Sequence, residues 1–140
     1  MSGTATSDII RLEHANFSCS NLDQSREHFQ KIFPDWRIRT EGINQVGRKW
    51  IHLGNDQVYV SLTDDPDAFK KPVDSNPPAA IRHIGFVIRD GAAMIERLKK
   101  NNIHYGVVDA PEAKYRIYVY DPDGREIFEL LEYNTDYALK

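Results

Sequence analysis

The feature that most constrains this 140-residue chain is an internal repeat of one short strand pattern. The stretches LEHANFSC and IRHIGFVI align with an offset of 69 residues, which superposes His14 on His83 and Phe17 on Phe86. Successive side chains of a strand point to opposite faces of the sheet. Each histidine is therefore predicted to lie on the face opposite its phenylalanine, in both copies of the pattern.

The same order of predicted elements follows each copy of the pattern. After the first copy, Asn21 is a candidate helix N-cap with Gln24 three residues on, and alternating strand segments follow the helix. After the second copy, Asp90 is the corresponding cap candidate, and alternating segments follow again. We predict an α+β fold in one domain, built from two tandem βαβββ modules at about residues 9–63 and 81–133.

Residues 64–80 hold four prolines and no sustained hydrophobic period, which predicts a linker or a surface loop between the modules. Each module offers one apolar sheet face for its helix and a second face of polar and aromatic residues. If the two modules form a curved sheet, their second faces line a central cleft. His14 and His83 would then both point into that cleft.

Composition and charge narrow the class of protein. The formal net charge is −3 and the isoelectric point is near 5.9, so no basic footprint for nucleic acid is present. The apolar runs are too short for a membrane span. Cys19 is the only cysteine, which excludes an internal disulfide. These features predict a cytoplasmic protein that binds neither nucleic acid nor membranes.

Two histidines at matching positions of a repeat are suited to binding one metal ion. A carboxylate completes such a set, and the closing strand supplies one. There, Phe128 and Leu130 resemble core residues, so alternation places Glu129 on the opposite face. His14, His83 and Glu129 are thus the predicted metal ligands. The alternative is that the histidines are ordinary strand residues of a core or surface.

Other side chains of the same strand faces are candidates for binding a small molecule, because they mix aromatic walls with hydrogen-bond donors. These are Trp50, His52, Tyr59, Ser61, Arg116 and Tyr118. Alternatives stay open for several of them. The aromatic rings could simply fill the interior, Arg116 could pair with Glu112 or another acid, and His52 could be a fourth metal ligand or a half-exposed residue.

Two further histidines are predicted to be surface residues without a role in the site. His28 lies beside Glu27 on the polar face of the first helix, and His104 follows a turn.

The pattern as a whole resembles the vicinal oxygen chelate superfamily, which includes glyoxalase I, extradiol dioxygenases and the fosfomycin and bleomycin resistance proteins. The stretches LEHANFSCSNLDQSREHFQKIF, IRHIGFVIRD and RIYVYDPDGREIFELLEY carry the resemblance, in this order along nearly the whole chain. It implies paired βαβββ modules around a metal cleft, with His14 and His83 at the histidine ligand positions. It also implies one divalent ion (Fe, Mn, Ni, Zn or Co) and a homodimer, in which modules are sometimes exchanged between chains.

The sequence departs from the family pattern at two positions. The glutamate ligand commonly stands four residues after the turn glycine, where this chain has Phe128, so we predict a one-residue bulge that moves the ligand to Glu129. Four-ligand members also carry a glutamate at the end of the first module. This chain has Ser61 or Tyr59 there, which leaves three protein ligands.

The leading hypothesis is a metal-dependent glyoxalase-like enzyme that chelates a small oxygenated substrate. Whether it is a lyase, an isomerase or a dioxygenase stays open, and no catalytic residue is assigned. His52 and Tyr118 are candidates for the additional residues that dioxygenases use. The alternative is a protein of the bleomycin-resistance type, which binds and sequesters a small molecule without chemistry.

Overall fold

Two modules of identical element order make up the chain in a computed structural model, which describes residues 12–70 and 83–134. The first comprises β1 (His14–Cys19), α1 (Leu22–Ile32), β2 (Arg37–Ile43), β3 (Lys49–Gly54) and β4 (Tyr59–Asp64). The second comprises β5 (Ile84–Val87), α2 (Gly91–Lys100), β6 (Tyr105–Val107), β7 (Ala113–Tyr120) and β8 (Glu126–Tyr133). The predicted α+β class and βαβββ repeat are confirmed.

The boundaries differ from the predictions in detail. Asp64, the first residue of the predicted linker, still belongs to β4. A 3₁₀ helix, Pro66–Phe69, follows within the linker, and residues 71–80 lie outside the described part of the chain. β1 begins at His14, so residues 12 and 13 of the predicted module one precede it, and residues 9–11 lie outside the described ranges.

Each module forms its own open four-stranded sheet, in the orders β1-β4-β3-β2 and β5-β8-β7-β6. In both sheets the first strand pairs in parallel with the last one, and the other pairs are antiparallel. Sequence-equivalent residues therefore occupy equivalent positions in the two sheets.

The predicted caps begin both helices. The side-chain oxygen of Asn21 accepts a hydrogen bond from the Gln24 backbone N–H at 3.1 Å, and Asp90 accepts one from Ala93 at 2.9 Å. Each bond satisfies a donor that the first helical turn leaves without a partner. No helix in the described part of the chain is long and apolar enough to cross a membrane.

The two modules share a single hydrophobic core, which the side chain of Phe128 joins together. Its fully buried ring lies 5.1 Å from that of Phe29 and 5.6 Å from that of Phe33, both on or beside α1 of the other module. It also contacts Trp36 and Phe86. Because the apolar faces of both sheets contribute to this core, the polar faces lie on the sides turned away from it.

A polar cluster, the inter-module clasp, joins the turn between β7 and β8 to the end of β1. It consists of Ser18, Ser20, Asp121, Asp123 and Arg125. Asp123 accepts hydrogen bonds from the backbone N–H (3.1 Å) and the hydroxyl of Ser20, while Arg125 donates to the carbonyl of Ser18 at 2.9 Å. The DPDG turn thus fixes one module against the other.

His28 does not lie on a solvent-facing surface, so that prediction is wrong. Its half-buried ring donates from Nε2 to the carbonyl oxygen of Tyr120, across the module boundary, at 2.8 Å. Burial lowers the pKa of His28. The second module thus covers His28, while Glu27 beside it stays exposed. His104 is exposed, as predicted, and stacks on the ring of Tyr120 at 4.2 Å.

Replacing Asp121 should destabilise the whole chain, because its fully buried carboxylate accepts bonds from the Asp123 N–H (3.1 Å), the Arg125 N–H (2.8 Å) and Arg125 Nε (2.8 Å). We expect Asp121→Ala to lower the free energy of unfolding by about 2–4 kcal/mol, measured by urea denaturation. Asp56→Ala, which removes an exposed partner of Arg37, is the control and should leave it unchanged. An Asp121→Ala protein as stable as the wild type would show that the inter-module clasp does not stabilise the fold.

Candidate metal centre

Two of the three predicted metal ligands lie side by side on the second sheet. His83 directly precedes β5, and Glu129 stands on β8 opposite Gly85. His83 Nε2 and Glu129 Oε2 are 3.6 Å apart. Two ligands held at about 2.1 Å from one tetrahedral ion stand about 3.4 Å from each other. The pair therefore fits a shared divalent ion.

The predicted bulge lies two residues before this glutamate. Val119 pairs with Phe128, but the next residue of β7, Tyr120, pairs with Glu126, which leaves Ile127 as an extra residue on β8. Such an insertion changes which face the following residues occupy. The register shift confirms the bulge and places the carboxylate two residues beyond it.

Arg116 and Tyr118 surround the carboxylate of Glu129. Arg116 Nη2 lies 3.5 Å from Glu129 Oε2, and the Arg116 guanidinium carbon is 5.6 Å from the centre of the Tyr118 ring. The hydrogen bond to Glu129 raises the pKa of Tyr118, and the neighbouring Tyr118 and Glu129 raise the pKa of Arg116. The acid that pairs with Arg116 is therefore Glu129 rather than Glu112.

His14 lies on the other sheet, within a row of rings. The aromatic row consists of Trp50, His52, Tyr59 and His14, whose successive ring centres are 4.9, 4.6 and 4.7 Å apart. Glu13 Oε1 lies 2.9 Å from Nδ1 of His14. Metal-binding histidines commonly donate one ring N–H to a carboxylate and bind the ion through the other nitrogen. Glu13 orients His14 in this way and leaves Nε2 available.

Strand register resolves which residue of the first module corresponds to Glu129. Asn16 pairs with Ser61, and Gly85, 69 residues after Asn16, pairs with Glu129. Ser61 is therefore the equivalent residue, rather than Tyr59. Its hydroxyl accepts a hydrogen bond from the Asn16 side chain at 3.0 Å. A neutral hydroxyl engaged in this way is a poor ligand for a divalent ion.

Two residues that contact the aromatic row were not predicted from the sequence. Arg39 is an extra, unpaired residue between Ile38 and Thr40 of β2, and its guanidinium lies 4.4 Å from the centre of the Tyr59 ring. Alternation gives no sign of such a bulge. Glu13 could have been found, because it is a carboxylate directly before a candidate ligand. Its hydrogen bonds to His14 and Tyr59 lower its pKa.

The described part of one chain does not bring all three predicted ligands together. Among residues 12–70 and 83–134, no group of three or more His, Cys, Asp or Glu side chains could hold a metal ion. His83 and Glu129 meet on one sheet, whereas His14 belongs to the other. The candidate ligands described in a single chain therefore lie on two different sheets.

Comparison with solved structures identifies the fold. A glyoxylase/bleomycin resistance protein/dioxygenase domain from Frankia sp. EAN1pec matches with a TM-score of 0.73 and 17% identity, over 91% of this chain and 100% of that one. The fosfomycin resistance protein FosX from Listeria monocytogenes, in complex with Mn(II) and sulfate, matches with a TM-score of 0.65 and 21% identity over 94% and 99%. The antibiotic-binding protein TnmS3 from a Streptomyces species matches with a TM-score of 0.65 and 16% identity over 91% and 98%.

The chain thus has the fold of the vicinal oxygen chelate superfamily. No model of a known protein family matches the sequence. The structural relatives include a metal-bound resistance protein and an antibiotic-binding protein, so the shared fold accommodates both metals and small molecules. A shared fold does not determine function, which depends on the residues at the site of this chain.

Proposed function

We propose that this protein is a metal-dependent enzyme of the glyoxalase type within the vicinal oxygen chelate superfamily. The observation that carries the proposal is the pair of His83 and Glu129, two ligating side chains 3.6 Å apart on a polar sheet face. The carboxylate is 13% exposed and has the Arg116 guanidinium beside it. A divalent ion bound there supplies Lewis-acid chemistry to oxygen atoms of a small substrate.

The third ligand, His14, comes from a second copy of the chain in our proposal. His14 is 42% exposed, is held by Glu13, and lies on a sheet face turned away from the shared core. A twofold axis that sets this face against His83 and Glu129 of the other copy creates two identical sites. In this arrangement the homodimer is required for metal binding, because each site is incomplete within one chain.

Residues around the ion have separate tasks in this arrangement. The aromatic row offers flat apolar walls against which a substrate can lie. Tyr118 donates to Glu129 and holds the orientation of the carboxylate. Whether the reaction is that of a lyase, an isomerase or a dioxygenase depends on the substrate.

Metal analysis of the purified protein tests the proposal. After chelation and reloading with Mn, Fe, Co, Ni or Zn, we expect the wild type to retain about one ion per chain by mass spectrometry. His83→Ala and Glu129→Gln should each lose the ion, because two remaining ligands bind a divalent ion weakly. His104→Ala, which changes an exposed histidine outside the site, is the control. The proposal fails if the wild type retains none of these metals.

The alternative function is sequestration of a small molecule without chemistry. The aromatic row favours it, since four adjacent rings could stack on a planar ligand without any ion. Ligand binding that persists after chelation, in a protein that converts no α-keto thiol adduct, catechol or epoxide, would support this alternative.

A further inference from the structure

The side chain of Arg116 has unused hydrogen-bonding capacity. Its Nε is buried and has no hydrogen-bond partner among the described residues. Its Nη2 reaches Glu129 only at 3.5 Å, longer than the 2.7–2.9 Å of a good charge-assisted bond. Buried donors almost always have a partner. A guanidinium left in this state is suited to an acceptor that the protein itself does not supply.

Arg116 also lines a cavity of about 400 Å³ between β7 and the loop that follows β6. Half-exposed Val107 and Val108 form part of its wall, together with Pro111. Its charged lining residues are Arg116, Lys114 and Asp109. The cavity therefore combines an excess of positive charge with an apolar wall, and Arg116, which lines it, also reaches the candidate ligand Glu129.

A β-bulge places the second cation at this cavity. Ala113 pairs with Tyr133 and Tyr115 with Glu132, so Lys114 is the extra residue on β7. Its side chain is 64% exposed, and its ammonium group lies 3.9 Å from Glu132. Glu132 is only 19% exposed, but an ion pair at this distance whose cation is largely solvated is weak, so Lys114 can readily bind a stronger partner.

We propose that the substrate is an organic anion with a short apolar group. Its carboxylate or phosphonate binds Arg116, with Lys114 at the rim, and its apolar group lies against Val107 and Val108. This inference rests on the proposed function, because it names the substrate class of the same site. It assigns Arg116 a specific task, namely to exchange its carboxylate partner for the oxyanion of the substrate.

Metal and anion should reinforce each other at this site. Without a metal, Glu129 neutralises Arg116 in part. If Glu129 held a divalent ion, Arg116 would have a positive neighbour, and a bound anion would relieve the repulsion. Coupling between two ligands is reciprocal, so each should bind more tightly in the presence of the other.

Calorimetric titration with butylphosphonate, butyrate and butan-1-ol tests the inference, on full-length protein with and without Mn(II). We expect wild-type protein to bind both anions and to bind butan-1-ol far more weakly. Arg116→Gln should raise the Kd for the anions by about 10- to 100-fold, since a hydrogen bond to a charged group is lost. Arg116→Lys should restore part of the affinity. Arg26→Gln is the matched control, because Arg26 is a similarly exposed arginine, at 27% against 33%, that pairs with Glu27 on α1.

Several results would overturn the inference. These are absence of anion binding to the wild type, equal affinity of Arg116→Gln and wild type, and equal affinity for the alcohol and the anions. Failure of the proposed function is separable: a protein that binds no Mn(II), yet binds anions through Arg116, refutes the metal enzyme and retains the anion site. A protein that binds Mn(II), but whose anion affinity is unaffected by Arg116→Gln, refutes only the anion site.

Discussion

Mixing His14→Ala chains with His83→Ala chains should restore the metal binding that each variant lacks by itself. In the proposed dimer, His14 of one chain completes a site with His83 and Glu129 of the other. A heterodimer of the two variants then has one site with all three ligands and one site without either histidine. About half of its sites should therefore bind metal, a result that isologous symmetry requires.

The experiment needs heterodimers, which co-expression of two differently tagged variants and sequential affinity purification would supply. Metal per chain is measured by mass spectrometry. A matched control is the pairing of His83→Ala with Glu129→Gln. These two residues lie 3.6 Å apart on the same sheet, so every site in that heterodimer lacks one of them and no binding should return.

Two outcomes would contradict this arrangement. If the first heterodimer binds no metal although the wild type does, the complete site lies within one chain. A wild-type chain that sediments as a monomer while binding metal would show the same. The absence of a three-ligand group in the described part of one chain is the reason to expect neither outcome.

Phe128→Ala should cause a large loss of stability. The ring is fully buried and contacts Phe29, Phe33, Trp36 and Phe86, so truncation leaves a cavity in the core that the two modules share. We expect the free energy of unfolding to fall by about 3–5 kcal/mol, measured by urea denaturation. Because the cavity lies between the modules, they should still unfold in one transition.

Val46→Ala is the control for this substitution, since its side chain is 75% exposed and its truncation should change the free energy of unfolding by less than about 0.5 kcal/mol. Two separate unfolding transitions in the wild type would show that the modules are independent. A loss below about 1 kcal/mol for Phe128→Ala would show that its surroundings collapse around the smaller side chain.

Much of the fold followed from local patterns in the sequence. The 69-residue repeat predicted two modules, and side-chain oxygens at Asn21 and Asp90 predicted where both helices begin. Alternation in the closing strand predicted that Phe128 and Leu130 are buried. The bulge did not follow from a local pattern: it was predicted from the family resemblance, because members of that family commonly carry the glutamate four residues after the turn glycine, where this chain has Phe128.

The errors and omissions concern contacts between distant segments. His28 stands beside Glu27 among polar residues of the first helix, yet its ring is half-buried and bonded to Tyr120 of the other module. Arg39 reaches Tyr59 through a bulge on an edge strand, and nothing in its neighbouring residues indicates the bulge. Such positions depend on which segments pack together, which periodicity along one segment does not encode.

The sequence by itself determined the repeat, the element order and the chemical types present at the candidate site, because these depend on side-chain alternation and local hydrogen bonding. Only the tertiary structure decided how the modules face each other. Both apolar sheet faces bury their surface in one core around Phe128, so the polar faces turn outward. For that reason His83 meets Glu129 within the chain, whereas His14 requires a second copy in the proposed site.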